Sequence, residues 1–565
     1  MRIMWWSNAP WVATGYGVQT KLFVPRLISA GHDVAITTNA GLHVGTITWE
    51  GIRVFAGSGP AGSEVVGWHS RSWEADITIS LFDAWVVQPA LFANTGMRWV
   101  PWFPVDSEPL QPLVLGAVRQ ASHSIVFSRF GERLCTQAGI TPYYVPHGVD
   151  CSMYKPIDRR EARRALGCPE DAFLLGMVAV NRGFPSRKSI PQVLQAFARF
   201  RERHPEAYLY LHTTTGEEPW RESIAMPLAP LLEHLGIKRY VIVAEPYNML
   251  LGFPDEYMAS VYNALDGLVA PSMGEGFGVP ILEAQACGCP VIVGDWTSMS
   301  EMCFAGYKVP REEGEFYWTD LQGGQIWPHA GAVLRGMEHL WERRGDAALR
   351  DQARAGALPY DLDRVVREYW TPTLEDIEHR IRGNPARNRK AQLLLRLLSD
   401  APEGAVCEVG CARHEIEIPS DGFSTAYLSQ ACVEAKRTFV SCDLDPVAVD
   451  VANAMLARRG LPTRVVVADG LEVLRSAGPF ALLYLDSSDD PRDTEAQLAA
   501  AEILPGGIVV IDDAQMTGRN AMGKATLVGD YFARRGLPLE IVQTEPGFAA
   551  MVLRFPDGKL GLSMP

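Results

Sequence analysis

No apolar run in this 565-residue sequence approaches the ~18 residues that a membrane-crossing helix needs, and the opening MRIMWWSNAPWVATGYG carries no long apolar stretch behind Arg2. A soluble, cytoplasmic chain is the expectation. Positive charge is also in short supply: 52 Lys+Arg stand against 66 Asp+Glu, a formal net charge of −14. The whole-molecule field therefore gives no attraction to nucleic acid or an anionic membrane, and an anionic ligand needs a local basic site. Cysteine is present but unpatterned. Cys135, Cys151, Cys168, Cys287, Cys289, Cys303, Cys407, Cys411, Cys432 and Cys442 form no paired CxxC blocks with matching histidines, so the spacing of a zinc site is missing and reduced, mostly buried thiols are expected. Fixed-period repeats and low-complexity tracts are absent as well. At 47% hydrophobic and 21% charged, the composition is that of packed globular cores rather than of a disordered, collagenous or coiled-coil chain.

What is present is length enough for several cores, about three to four at roughly 150 residues per domain. Short β-branched runs alternate with longer helical patterns, the signature of βαβ units around a parallel sheet, and the alternation restarts twice. The first series predicts strands at Arg2–Ser7, Asp33–Thr38, Ile52–Ala56, Asp76–Phe82, Arg98–Phe103, His123–Ser128 and Tyr143–Pro146, a doubly wound domain over 1–165. The second predicts Phe173–Val180, Ala207–Thr213, Tyr240–Ala244, Gly267–Pro271 and Pro290–Gly294, a domain over 166–380. Residues 361–400 read as mostly helical, with the basic stretch RIRGNPARNRK as a solvated hinge and 381–400 as a helical linker. A third series, AVCEVG, TFVSCD, TRVVVAD, ALLYLDS and GIVVIDD, is followed by EIVQTE and AAMVLRF within 401–565. The last two lie too close for a helical crossover, so an antiparallel hairpin at the sheet edge is expected, giving a methyltransferase-like sheet.

The segment APSMGEGFGVPILEAQACGCPVIVGD, residues 270–295, carries Glu275 and Glu283 seven residues apart, with Gly276-Phe277-Gly278 beside the first and Pro280 opening a helix. Glycines let backbone N–H groups approach a ligand, proline suits the first helical turn, and a helix N-terminus favours an anionic or hydroxyl-rich ligand. One carboxylate then sits in the loop and the other about one turn into the helix, both able to accept from sugar hydroxyls. This segment resembles the E-x7-E motif of retaining GT-B glycosyltransferases of the family 4 group. The resemblance implies that Glu275, Phe277 and Gly278 meet the donor hexose and that Glu283 holds the nucleotide ribose. In VAVNRGFPSRKSIPQVLQAFARF, the resemblance makes Arg182 and Lys188 the cations that neutralise the donor pyrophosphate, stabilising the leaving diphosphate as the glycosidic bond breaks. Arg187 can substitute for either, while Asn181 and Ser189 stand where the family commonly has glycine.

The loop SNAPWVATGYGVQTKLF places Gly15 and Gly17 just before a helix, a plausible contact for the donor's phosphates and the acceptor by resemblance. In VPHGVD, residues 145–150, His147 occupies an Asn position and reads as an interdomain residue. Many relatives place a His in the first domain near the reacting sugar, but RWVPWFPVDSEPL has none, leaving Asp106 or Asp83 to face the acceptor or merely to cap a turn. Trp5, Trp6 and Trp11 read as packing rather than sugar stacking. The fold implied is two Rossmann-like domains facing a cleft, the tail DLDRVVREYWTPTLEDIEHRI crossing back to the first. The reaction implied is retaining transfer from a nucleotide sugar, such as a UDP- or GDP-sugar, to a glycan, protein or other acceptor. It uses front-face attack and neither a protein nucleophile nor a metal.

Residues 401–565 resemble class I S-adenosylmethionine-dependent methyltransferases through CEVGCARHEIEIPSDGFSTAYLS, with an insertion between Gly410 and Gly422. The resemblance assigns Glu408 and Gly410 to the cofactor loop, Asp443 to the ribose and Asp469 to the adenine. Asp486, Asp512 and Asp513 end adjacent strands, and three oxygen donors there suit Mg²⁺ as in catechol-type methyltransferases, although SSDDPRD stands where that group supplies a lysine. Two expectations stay open for this domain: methylation of the glycan or acceptor, or a non-catalytic binding fold. For the first half, the alternatives are a phosphorylase, a sugar-nucleotide hydrolase, or an inactive carbohydrate- or nucleotide-binding assembly protein.

Overall fold

The computed structural model describes residues 1–557 apart from 59–60, 184, 219–224, 383–388, 415–422, 487–489, 514, 518–519, 536–537 and 546–547. Two compact units form, Met1–Leu374 and Glu375–Pro565. In the first strand, Arg2–Ser7, successive side chains point to opposite faces, yet Ile3, Met4, Trp5 and Trp6 are all fully buried. Both faces of the sheet are covered, which is why the run is continuously apolar.

The first sheet orders its strands Thr46–Trp49, Ile52–Phe55, Asp33–Thr38, Arg2–Ser7, Ile77–Leu81, Trp99–Phe103, Ile125–Val126 and Tyr143–Tyr144, all neighbours parallel except the opening pair. The predicted strands His123–Ser128 and Tyr143–Pro146 shrink to two paired residues each. Ser128 instead caps the helix Arg129–Gln137, its hydroxyl accepting the Gly131 N–H at 3.1 Å. The antiparallel edge strand Thr46–Trp49 was not foreseen.

The second sheet is wholly parallel, in the order Val241–Val243, Ala207–His212, Phe173–Val178, Gly267–Ala270, Val291–Gly294 and Gly306–Val309, the last strand again unforeseen. The chain runs outward from Phe173–Val178 in one direction and from Gly267–Ala270 in the other. Loops leaving the carboxyl ends of these two neighbours diverge and open a crevice, the usual ligand position in such sheets. The same reversal occurs in the first sheet between Arg2–Ser7 and Ile77–Leu81.

Two features join the halves of this unit. A hairpin, Gly314–Trp318 with Gly324–Pro328, reaches from the second half to the first, where Glu108 and Gly324 exchange two backbone hydrogen bonds of 3.0 Å. The tail returns to the first half as well: Trp370 packs against Trp5, Trp102 and Phe23 with ring centroids 5.8, 4.9 and 6.0 Å away. Trp5 and Trp6 are therefore core, while Trp11 is half-exposed and donates to the Gly41 carbonyl at 3.1 Å.

In the second unit the strand order is Val466–Val467, Phe439–Asp443, Ala405–Val409, Phe480–Leu485, Ile503–Ile511, Phe548–Phe555 and Leu539–Glu545. The first five are parallel and the last two form the expected antiparallel pair, with Phe548–Phe555 inserted beside Ile503–Ile511 so that Leu539–Glu545 is the edge. All ten cysteines are free; nine are buried, and burial pushes thiols such as Cys135 up to about 12. Among the described residues no helix is long and apolar enough to cross a membrane.

Trp370→Ala leaves a cavity among three aromatic rings and should cost the first unit about 3–5 kcal/mol. An earlier denaturant midpoint in the tryptophan-fluorescence transition is the expected reading, and an unmoved midpoint would remove the tail from the core.

Candidate functional site

The crevice of the second sheet holds a largely buried carboxylate. Glu275 accepts from the Lys188 ammonium through Oε1, and its Oε2 lies 3.8 Å from Arg187 Nη1. Burial alone would raise the Glu275 pKa, but Lys188 and Arg187 outweigh it and hold the carboxyl below its usual range. Lys188 is in turn lowered, by burial foremost. The loop carrying Glu275 is pinned at several points. Its N–H donates to the Thr297 hydroxyl at 3.2 Å, and Ser298 Oγ donates to the carbonyls of Glu275 at 2.8 Å and Phe277 at 3.1 Å.

The glycines of this loop answer a constraint that the sequence did not show. A Cβ at Gly274 would lie 2.1 Å from the Asp106 carbonyl oxygen, and one at Gly276 would lie 2.2 Å from the Pro104 ring. Both residues therefore admit the backbone of the first half against the Glu275 loop. Gly278, at φ +96°, turns the chain into the helix Val279–Ala286, with Pro280 in its first turn. Phe277 is buried between His147 at 5.2 Å and Tyr360 at 6.1 Å. His147 also packs on Trp102 and Phe127, and burial holds its pKa at about 3, so it is a neutral packing residue between the halves.

From the first half, Asp106 faces the same cluster, its Oδ2 3.4 Å from Arg187 Nη1. Arg187 further donates to the Gly274 carbonyl at 2.5 Å. Burial opposes its charge, but Glu275, Asp106 and Asp83 hold it above its ordinary value. Asp83 follows the strand Ile77–Leu81, at the first sheet's reversal, 3.5 Å from the Tyr16 hydroxyl. Burial first, and the Asp106 charge second, raise its pKa to about 6. Gly15 and Gly17 lie in the first turn of the helix Gly15–Ser29, not ahead of it, because Thr14 caps that helix by accepting the Gly17 N–H at 3.2 Å. A Cβ at Gly17 would strike the Val12 carbonyl oxygen at 2.2 Å, whereas Gly15 faces open space.

Arg182 is exposed in the turn after Phe173–Val178, and Arg187 is the arginine beside Glu275. Asn181 ties this turn to the 214–226 segment, donating to the carbonyls of Thr214 at 3.1 Å and Met226 at 2.8 Å and accepting the Met226 N–H at 3.1 Å. That bracing is what a glycine there could not supply. Ser189 adopts φ +57°, the left-handed conformation a glycine takes freely, and its buried hydroxyl has no partner. One turn into the Val279–Ala286 helix, Glu283 accepts from the Tyr262 hydroxyl at 2.7 Å, and burial raises its pKa to about 7. Tyr16 and Tyr262 escaped sequence reading: each is an ordinary apolar-face residue of a helix until the fold sets its hydroxyl beside a carboxylate.

In the second unit the strand order reverses between Ala405–Val409 and Phe480–Leu485. Glu408 ends up fully buried, accepting from Thr425 Oγ1 at 2.7 Å and Ser441 Oγ at 2.6 Å, with its pKa raised to about 7 by burial. Gly410 takes φ +92°, and Asp443 accepts the N–H groups of Cys411 at 3.1 Å and Asp445 at 2.9 Å. Asp469 caps the helix Gly470–Ala477 by accepting the Leu471 N–H at 2.8 Å. Gly422 and most of the insertion lie outside the described residues. Asp486, Asp512 and Asp513 do converge, their oxygens within 4.8 Å of one another. Two lysines that the local sequence did not supply join them: Lys524 lies 2.7 Å from Asp486 and 3.7 Å from Asp513, and Lys390 is paired with Asp512. With ammonium groups already inside the carboxylate cluster, this donor set does not fit a resident Mg²⁺.

Residues 175–317 match the family model for glycosyl transferases group 1. Residues 418–514 match a methyltransferase domain model. The D-inositol 3-phosphate glycosyltransferase of Stackebrandtia nassauensis is 30% identical over 237 residues, 41% of this chain and 46% of that protein. Its namesake from Corynebacterium urealyticum is 37% identical over 248 residues, 43% and 51% of the two chains. The chain thus spans about half the length of these curated relatives. Among solved structures, sucrose-phosphate synthase from Thermosynechococcus elongatus superposes with a TM-score of 0.52 at 18% identity, over 66% of this chain and 98% of that one, a likeness of fold. The first unit has the GT-B fold and the second a methyltransferase-like Rossmann fold.

Ser189→Gly removes both left-handed strain and an unpartnered buried hydroxyl, and should raise stability by about 1 kcal/mol. A melting temperature that falls instead would show that Ser189 is held by something other than the backbone turn.

Proposed function

We propose that Met1–Leu374 is a retaining glycosyltransferase of the family 4 type, moving a sugar from a nucleotide donor to a hydroxyl of an acceptor. The observation that carries this reading is the cation pair Arg187 and Lys188 around buried Glu275 at the switch point of the second sheet, faced by Asp83 and Asp106 of the first half. The group 1 match covers Arg187, Lys188 and Glu275. In this reading the two cations take the donor diphosphate, where negative charge grows as the glycosidic C–O bond breaks, so transfer needs no metal ion. Arg182 adds a third, exposed cation at the donor's approach. Glu275 orients the hexose through its hydroxyls, and Glu283 accepts from the ribose. Gly15 lines the phosphate side, where its missing side chain leaves space. Asp83 and Asp106 receive the acceptor, whose hydroxyl proton passes to the departing phosphate as the new bond forms on the same face. The name of these relatives makes D-inositol 3-phosphate the first acceptor to test, with UDP- and GDP-sugars as donors.

For the second unit the reading is S-adenosylmethionine binding at the reversal between its two central strands. Gly410 lies against the methionine end, Asp443 at the ribose and Asp469 near the adenine, with Glu408 bracing the loop from beneath. Methylation of the glycan or acceptor is the activity this would support. Calorimetry with S-adenosylmethionine should give saturable heat, and its absence would leave a non-catalytic fold.

Lys188→Ala and Glu283→Ala should each lower transfer by at least about 100-fold with the fold intact by circular dichroism. Full activity in both would sink the assignment. The raised pKa of Glu283 gives a pH test. Since the carboxylate form accepts from ribose, donor affinity should rise as pH rises through about 7. The same shift means the folded state binds the proton more tightly than the unfolded one, so stability from this group is lost over that rise. Glu283→Gln should flatten both profiles in donor titrations and thermal melts, and unchanged pH dependence would assign them to another group.

A further inference from the structure

We propose that Lys390 and Lys524 occupy the cation position of the acidic cluster in the second unit, so that this site works without a divalent metal. Three carboxylates, Asp486, Asp512 and Asp513, converge at the carboxyl edge of the sheet. Two ammonium groups enter from segments distant in sequence: Lys390 from the helix Arg389–Asp400, and Lys524 from the turn ahead of Thr526–Arg535. Neither is a surface lysine swinging into an acidic patch. Their side chains are 9% and 5% exposed, and a buried ammonium is stable only when paired. Each has its own partner, Lys390 on Asp512 Oδ2 and Lys524 on Asp486 Oδ1 at 2.7 Å with Asp513 at 3.7 Å. Tyr484 also donates to Asp512 Oδ2, at 2.6 Å.

The charge and ligand count favours lysine over Mg²⁺. Among the described residues two ammonium groups face the three carboxylates, and Asp512 Oδ1 is a buried oxygen without a hydrogen-bond partner. Mg²⁺ demands about six oxygens near 2.1 Å in octahedral array. Here two ammonium groups stand where its ligands and waters would have to be, and each repels a dication. The ammonium groups remain charged: burial works against Lys390, but Asp512 and Asp486 overcome it, and Asp486 and Asp513 do the same for Lys524. If this unit transfers methyl groups, as proposed above, it does so with lysine cations at this edge.

The test reads metal binding rather than methyl transfer, so its failure is distinct from failure of the methyltransferase reading. The full-length protein is titrated with MgCl2 by calorimetry and melted with and without it, alongside Lys524→Arg, Lys524→Met and the Lys390→Met/Lys524→Met pair. The wild type and Lys524→Arg should show no saturable heat and no melting shift up to about 10 mM Mg²⁺. The Met variants, stripped of the fixed cations, should gain Mg²⁺ affinity by at least tenfold. Saturable wild-type binding at millimolar Mg²⁺ would overturn the proposal, as would Met variants that fold yet bind no more tightly. If the double variant does not fold, the wild type and Lys524→Arg still decide.

Discussion

The largely buried carboxylate of Glu275 is the constraint around which the Glu275 cleft is arranged. A carboxylate out of water is stable only with fixed counter-charge and satisfied backbone around it. Lys188 and Arg187 supply the charge, while Thr297 and Ser298 fix the loop. The glycines on either side let the first half close to within contact of that loop, which brings Asp106 to Arg187. Because Arg187 bonds Gly274 and pairs with Asp106, one side chain joins the Glu275 loop to the first half. Ligand charge entering this cleft would compete for cations already held by Glu275 and Asp106, which couples binding to the contact between the halves.

A single topological device recurs in the three large sheets. In each, the order of strands reverses next to a central strand, and the loops leaving the two neighbours carry the polar residues. Tyr16 and Asp83 sit at the first reversal, Lys188 and Glu275 at the second, Gly410 and Asp486 at the third. The residues differ between the sheets: the second has cations enclosing one carboxylate, whereas the third has carboxylates enclosing two ammonium groups.

Much of this was legible in the sequence where a local pattern sufficed. Pro280 after Gly278 did open a helix, the parallel series did form sheets, and Asp486, Asp512 and Asp513 did meet. What was not legible depended on contacts between distant segments. Arg182 lies six residues before Lys188 and Arg187 is next to it, and only the fold puts Arg187 beside Glu275. Gly276 looked like a ligand-facing glycine, but the neighbour a Cβ there would strike is Pro104, another part of the chain. Lys390 and Lys524 had no motif at all. Strands such as Ile125–Val126 were overextended because β-branched neighbours carry the same signal whether or not they pair.

The central claim is that Arg187 and Lys188 form the anion site for a nucleotide-sugar diphosphate. Calorimetric titration of UDP-, GDP- and ADP-sugars into the full-length protein, Arg187→Met and Arg182→Met tests it most directly. The account predicts that at least one donor binds, that Arg187→Met weakens it at least tenfold, and that Arg182→Met weakens it less. Binding of none of the three donor classes, or equal affinity in wild type and Arg187→Met, would contradict it.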